Sequence, residues 1–327
     1  MARSSPTIKV DELRKEFRVP VRKPGLRAAL ASIVRREHRL VTAVGGVSFN
    51  AEAGEFVAFL GSNGAGKTTT LKMLTGLLHP TSGSATIAGF DPSRRQRGLL
   101  SQLALVMGQR SQLIWDLPAV DSFEVHRSIY RVGAGDFRAR VAQFTELLDI
   151  GDVVRKPVRN LSLGERMKCE LAAALLHQPT VLFLDEPTIG LDTAMQRRMR
   201  GFLRQYNREV GATILLTSHY MADVEELCER VIVIDGGKLM FDGGLSALVS
   251  QYSSHKTVAV SFAGAVPDVR GYGQVMELDV GRAVLRVNRC DAADVTARLL
   301  ADHSVTDLVV ENPAIEDVIE SVYGGAQ

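Results

Sequence analysis

The stretch LGSNGAGKTTT, Leu60 to Thr70, constrains this chain more than any other segment. It follows the apolar run Phe56-Val57-Ala58-Phe59-Leu60 and leads into residues that favour a helix, roughly Lys67 to Leu77. The spacing Gly61-x4-Gly66-Lys67-Thr68 is the phosphate-loop pattern. Glycines allow the backbone to turn and aim its N–H groups inward, where a Cβ would block close approach. The helix adds its positive N-terminal end. The spacing assigns Gly61, Ser62, Asn63, Gly64, Ala65, Gly66, Lys67, Thr68 and Thr69 to nucleotide binding. Lys67 is expected to reach the β- and γ-phosphates, and Thr68 to hold Mg²⁺ through its hydroxyl.

A phosphate loop of this kind needs a carboxylate for its metal. TVLFLDEPTIGLD, Thr180 to Asp192, supplies one at the end of a short, continuously apolar strand, the pattern of a central parallel strand. Asp185 would hold Mg²⁺, and Glu186 would polarise a water as general base. A third apolar strand, in ATILLTSHY, ends at His219, placed to bond a γ-phosphate or the attacking water. Ligands of parallel sheets collect beyond the carboxyl ends of the strands.

Composition removes several other classes. With 327 residues the chain is long enough for one large domain plus a smaller one. A formal charge of +2 gives no global field for nucleic acid. No apolar run approaches the roughly 20 residues that span a bilayer, and MARSSPTIKVDELRKEF lacks a signal-peptide core. These features predict a cytoplasmic chain. Cys169, Cys228 and Cys290 are scattered and read as reduced structural thiols.

NLSLGERMKCELAAALLHQP, Asn160 to Pro179, carries Ser162 as N-cap and Glu165 three residues on, a capping box. Capping gives no reason for Gly164 in the first turn. A glycine there permits close approach to exposed N–H groups, a second anion-binding helix start. In this order the segments resemble the ATP-binding cassette (ABC) family of transport ATPases, over about residues 5 to 250. The phosphate loop, LSLGE signature, LFLDEP strand, GLD and strand-end histidine all stand in family order. The resemblance implies a phosphate-loop α/β fold with a RecA-like parallel core, an antiparallel β subdomain and a helical subdomain bearing the signature. It implies that Gln109 touches Mg²⁺ and senses a membrane partner, and that Asp192 communicates between subunits. It makes Phe17 the candidate for stacking on adenine. ATP would lie between one copy's phosphate loop and Ser162, Gly164 and Glu165 of a second copy, most simply a homodimer. Separately encoded permeases would be driven from the cytoplasmic face of the membrane. Two departures stand out: Leu163 occupies the commonest glycine position of the signature, and Ser62, read as a neutral variant, stands where many members have proline.

The basic insertion from Arg18 to Leu40 allows an amphipathic helix from about Gly25 to His38, either contacting anionic lipid or a partner, or simply solvated. Trp115, the sole tryptophan, reads equally as a partner anchor or a core residue. Residues 251–327 read as a small α+β domain, ferredoxin-like or a short barrel, with strands in TVAVSF, VMELDV and AVLRV and helices in DAADVTARLLADH and AIEDVIESVYG. ENPAIEDVIESVYG resembles the closing segment of cassettes serving drug, antibiotic or polysaccharide exporters. The alternatives are a soluble cassette acting on ribosomes or DNA, and an importer ATPase. Soluble cassettes usually carry two cassettes or long coiled-coil insertions, which this chain lacks.

Overall fold

The computed structural model describes residues 7–20, 38–108 and 111–324. The chain divides into two compact units, Met1–Asp242 and Gly243–Gln327, ahead of the residue-250 boundary read from composition.

In the first unit a six-stranded sheet runs in the order β5-β6-β7-β3-β8-β9. Its strands are β3 (Phe56–Gly61), β5 (Leu103–Met107), β6 (Val181–Asp185), β7 (Thr213–Thr217), β8 (Arg230–Asp235) and β9 (Lys238–Gly244). Pairing from β5 through β8 is parallel. Every residue of β3, β6 and β7 is buried, which is why these strands read as unbroken apolar runs. Register places Asp185 beside Thr217 and Gly61 beside Ile234. The three loops carrying the motifs therefore leave the carboxyl ends of adjacent interior strands.

The first helix, α1 (Lys67–Leu74), starts directly on the phosphate loop. It stops short of Leu77 because Gly76 turns left-handed at φ +70, its N–H bonding back to Met73 O at 3.1 Å. The short α2 (Arg97–Leu100) precedes β5. Three helices, α3 (Ala119–Tyr130), α4 (Ala134–Leu148) and α5 (Leu163–Leu175), form a helical layer. Its apolar side buries Phe123, Phe137, Phe144, Met167 and Leu171. Phe144 meets Phe202 of α6 (Thr193–Val210) edge-on at 5.4 Å. Helix α7 (Met221–Leu227) follows β7.

An antiparallel sheet, β2-β1-β4, comprises β1 (Ile8–Pro20), β2 (His38–Ala51) and β4 (Ser82–Ile87). The β1–β2 ladder continues to Pro20 opposite His38. Both ends of the basic insertion are thus strand, and His38 is a strand residue rather than the end of a helix: ladder hydrogen bonds claim its backbone. The rest of the expected helix lies outside the described residues.

The second unit opens with α8 (Leu245–Tyr252). Strands β10 (His255–Phe262), β11 (Gln274–Asp279), β12 (Arg282–Asn288) and β13 (Val305–Glu311) form an antiparallel sheet ordered β11-β12-β10-β13. Numbered within the unit this order is that of a ferredoxin-like sheet. A 3-10 turn at Arg270–Tyr272, rather than an α-helix, links its first two strands. Helix α9 (Ala292–Asp302) covers one sheet face, burying Val295 and Leu299 against Val258, Val260 and Leu285. The last helix is α10 (Ile315–Gly324). Strand β13 has no counterpart in the sequence reading. Its residues are mostly exposed and its apolar positions do not alternate.

Candidate functional site

The phosphate loop is shaped by backbone that only glycine adopts freely. Gly64 has φ +86 and Gly66 φ +103, and a Cβ on Gly66 would run into Ala43 O. Lys67 is buried, 7% exposed. Its Nζ folds back to donate to Gly61 O at 2.6 Å and Ser62 O at 3.2 Å. Burial lowers its pKa, while the nearby Glu186 and Asp185 carboxylates oppose that shift. Ser62 Oγ donates to Asp235 Oδ1 at 2.5 Å, tying the loop to the end of β8. Ser62 therefore has a structural partner, where the sequence suggested a neutral substitution.

Across the sheet edge, Asp185 accepts from Thr68 Oγ1 at 2.9 Å and Thr217 Oγ1 at 2.7 Å. Glu186 sits left-handed at φ +54, a conformation costing roughly 1–2 kcal/mol in a residue with a Cβ. Two bonds hold it there: its N–H donates to Thr217 O and to Thr217 Oγ1, each at 3.1 Å. Strain fixed in this way turns the Glu186 side chain toward the loop and marks a candidate functional position. His219 Nε2 lies 2.8 Å from Glu186 Oε1. Two adjoining cavities, about 190 and 270 Å³, share Thr68 and Glu186. The smaller is lined by the phosphate loop, the larger by Asp185 and Gly108. The hydroxyl of Thr68 and the carboxylate of Asp185 are hard oxygen donors suited to Mg²⁺. Among the described residues no cluster of His, Cys, Asp and Glu suits a softer metal. Gln109 lies outside the described residues; its neighbour Gly108 donates its N–H to Asp185 O at 3.1 Å.

A buried network braces both catalytic candidates. Asp223, fully buried on α7, accepts from Thr188 Oγ1 at 2.5 Å, Ser218 Oγ at 2.7 Å and Arg200 Nη1 at 3.1 Å. Thr188 follows Glu186 by two positions and Ser218 immediately precedes His219. A second buried carboxylate, Glu170 on α5, accepts from Ser111 Oγ and from Gln112 N at 2.9 and 3.0 Å. Burial raises its pKa, and these donors oppose the rise.

The start of α5 is the expected capping box. Glu165 N donates to Ser162 Oγ at 3.2 Å, and Ser162 N donates to Glu165 Oε2 at 2.8 Å. Gly164 has an additional reason: a Cβ there would strike Met195 Sδ of α6. Leu163, 40% exposed, lies over Gly190, where a Cβ would meet Leu163 Cδ2 at 2.6 Å. Asp192 caps α6, accepting from Met195 N at 2.8 Å. Neither Ser162 nor Gly164 lines the two cavities at Thr68. Phe17 stands in β1 opposite Val41, two residues before Ala43, which lines the phosphate-loop cavity. Lys15 Nζ lies 5.3 Å from the Phe17 ring centre.

Residues 44–189 match the family model described as ABC transporter. The chain is 34% identical over 233 residues to "ABC transporter ATP-binding protein NatA" of Bacillus subtilis (strain 168), covering 71% of this chain and 93% of the relative. The chain belongs to the ABC transporter ATPases. Residues 254–311 of this ABC ATPase match the model of the EvrA-like ABC transporter C-terminal domain. It is also 30% identical over 292 residues to "Daunorubicin resistance ATP-binding protein DrrA3" of Streptomyces coeruleorubidus, covering 86% of this chain and 91% of the relative. A solved "Structure of ATP binding subunit of ABC transporter" superposes with TM-score 0.63 at 23% identity, over 75% of this chain and 93% of the other.

In this ABC ATPase no described helix is long and apolar enough to cross a membrane. An apolar groove of about 450 Å³ lies between the parallel sheet and the helical layer, lined by Leu77, Leu100, Leu105, Met107, Ile129 and Tyr130. Trp115 is 51% exposed, with the Arg166 guanidinium 5.9 Å from its ring centre. It is therefore a surface residue, not a core one. Cys169 and Cys228 are buried thiols, and burial pushes Cys169 up to about 12. Cys290 is exposed, which corrects its reading as a structural thiol: its neighbours in the turn after β12 leave it at the surface.

Proposed function

We propose that two copies of this chain close head to tail around two ATP molecules, hydrolyse them, and thereby drive separate exporter permeases at the cytoplasmic face of the membrane. The observation that carries this reading is the Glu186–His219 contact at 2.8 Å, with Glu186 lining the same phosphate-loop cavity as Lys67 and Thr68. Lys67 is held with its ammonium against the loop backbone, where a triphosphate would compete for it with stronger charge. Glu186 is aimed as the base for water, and His219 holds that carboxylate in place and can turn its ring toward a γ-phosphate. Thr68, Asp185 and Gln109 would hold Mg²⁺, which when bound neutralises charge on the phosphate oxygens. Chemistry of this kind is mostly positioning and charge stabilisation.

The second copy is needed because the Ser162 helix start offers N–H groups that its own chain's cavities do not use. Its Ser162, Gly164 and Glu165 would cap the triphosphate, with Asp192 and Leu163 at the joint. Phe17 would stack on adenine. The apolar groove and, separately, the exposed Trp115 support docking of a permease helix on this unit. Likeness to a daunorubicin resistance protein through the C-terminal unit supports export, since removing a drug from the cell confers resistance to it.

Glu186→Gln should leave ATP binding intact and slow turnover roughly 10²-fold or more. Near-normal turnover in that variant would refute the assigned base. Affinity purification of the tagged Glu186→Gln chain from membranes with ATP should recover a multi-span permease. Recovery of ribosomes instead would overturn the transport reading.

A further inference from the structure

The second unit is acidic, with six lysines and arginines against eleven aspartates and glutamates between Gly243 and Gln327. Yet three of those six cations converge on one cleft. Arg270 comes from the 3-10 turn, Arg286 from β12 and Arg298 from α9. The cleft measures about 780 Å³, inside the roughly 300–1,000 Å³ range of small-ligand sites. From this convergence we infer that the second unit carries a binding site for a small, multiply charged anion bearing phosphate or carboxylate groups.

Isolated surface arginines are ordinary. These three differ in how they are held and in what they lack. Among the described residues none of them forms an ion pair, whereas Arg200, Arg204 and Arg230 of the first unit do. The Arg298 guanidinium lies 5.4 Å from the ring centre of Tyr272. That ring is fixed in turn, because Tyr272 Oη donates to Asp302 Oδ2 at 2.7 Å. A guanidinium stacked in this way keeps its N–H edge free for a forked contact. Gly273 brings the Arg270 turn against the strand that carries Arg286: a Cβ there would lie 2.7 Å from Arg286 O and 3.0 Å from Val287 Cγ2.

Like charges gathered in one concavity repel unless an anion sits among them. His255, on the same wall, reports the field. Burial and the Arg286 charge lower its pKa, and Asp317 opposes them. Asp291 is the one carboxylate of the lining. It leaves the wall net positive and sets a limit on how far an anion can extend toward the start of α9. Arginine forks match phosphate and carboxylate oxygens in pairs, so the ligand class follows from the donors. The site is separate in chemistry from the phosphate loop and does not depend on the proposed ATP cycle.

The test uses the full chain carrying Lys67→Ala, which disables the phosphate loop as a competing anion site. Calorimetric titration with inorganic pyrophosphate, and separately with citrate, should show saturable binding at one site for at least one probe. Arg286→Ala with Arg298→Ala should weaken it at least about tenfold, and the paired lysine substitutions should recover only part of the loss. In the otherwise wild-type chain the same substitutions should leave basal ATP hydrolysis and the melting temperature unchanged at a pH above the His255 titration. A parallel arm measures retention on phosphatidylcholine vesicles containing phosphatidylserine or a phosphoinositide. Arginine-dependent retention without free-probe binding would place the same anion chemistry on a lipid headgroup. Absence of binding in both arms, or binding indifferent to the arginine substitutions, would overturn the site.

Discussion

Two regions of this chain gather positive charge for anions by opposite means. The phosphate loop does so mainly with backbone: left-handed glycines, a helix start and one lysine folded against the loop's own carbonyls. The cleft of the second unit does so with side chains, three arginines borne on unrelated elements. The first solution is rigid, because each N–H direction depends on a φ angle that residues with a Cβ disfavour. The second is tolerant, because the framework persists when an arginine is shortened.

The largest effect that separates them is expected at Gly66. An alanine there would need φ +103 and would drive its Cβ into Ala43 O. Gly66→Ala should weaken ATP binding by about 100-fold or more, while Arg286→Ala leaves it unchanged. Fluorescent-nucleotide titration of both variants, with melting curves as a folding control, measures the contrast. A Gly66→Ala chain that folds and binds ATP normally would break the backbone half of the comparison.

The buried Asp223 network comes next in size. Asp223→Asn removes charge from a carboxylate shared by Thr188, Ser218 and Arg200. Turnover should fall about tenfold with little change in KM for ATP, because Glu186 and His219 lose their bracing rather than their contact with nucleotide. Stability should fall by about 3–5 kcal/mol, since Arg200 keeps a buried charge with only Glu226 beside it. The double variant Arg200→Met/Asp223→Leu separates the two roles. It should regain stability without regaining turnover. Recovery of both would reduce the network to a structural brace.

The same contrast explains what could be read from the sequence. Gly61 through Thr69, Asp185, Glu186 and His219 were legible because a strand-turn-helix dictates their spacing and a parallel sheet dictates their common edge. The capping box at Ser162 was legible because it is local. Thr217, Asp235 and Glu170 were not, because their partners lie far along the chain, and Asp223 was not, because two of its three partners, Thr188 and Arg200, are brought to it only by the tertiary fold. At Gly164 the sequence points to ligand approach alone, because Met195, which packs on it, sits on another helix. Sequence alone does not place Trp115, because a tryptophan suits core and surface equally. The cleft arginines carry no spacing at all, since three elements and a sheet register assemble them.

The smallest effect probes the arginine field directly. His255 lines the same cleft as Arg286, and its pKa is lowered by burial first and by that charge second, with Asp317 pulling upward. A histidine depressed in the folded chain binds fewer protons there than when unfolded. Its contribution to stability is therefore present above the unfolded value, near 6.5, and is lost as pH falls below it. Arg286→Ala removes one of the two lowering causes, so the His255 pKa should rise and the acid loss of stability should lessen. Pyrophosphate bound in the intact cleft should move the same resonance in the same direction by cancelling the charge. NMR titration of the His255 ring protons reads both shifts. A pKa indifferent to Arg286→Ala would mean that the guanidinium is screened by solvent, and a cleft screened at that point would have no field with which to hold a small anion.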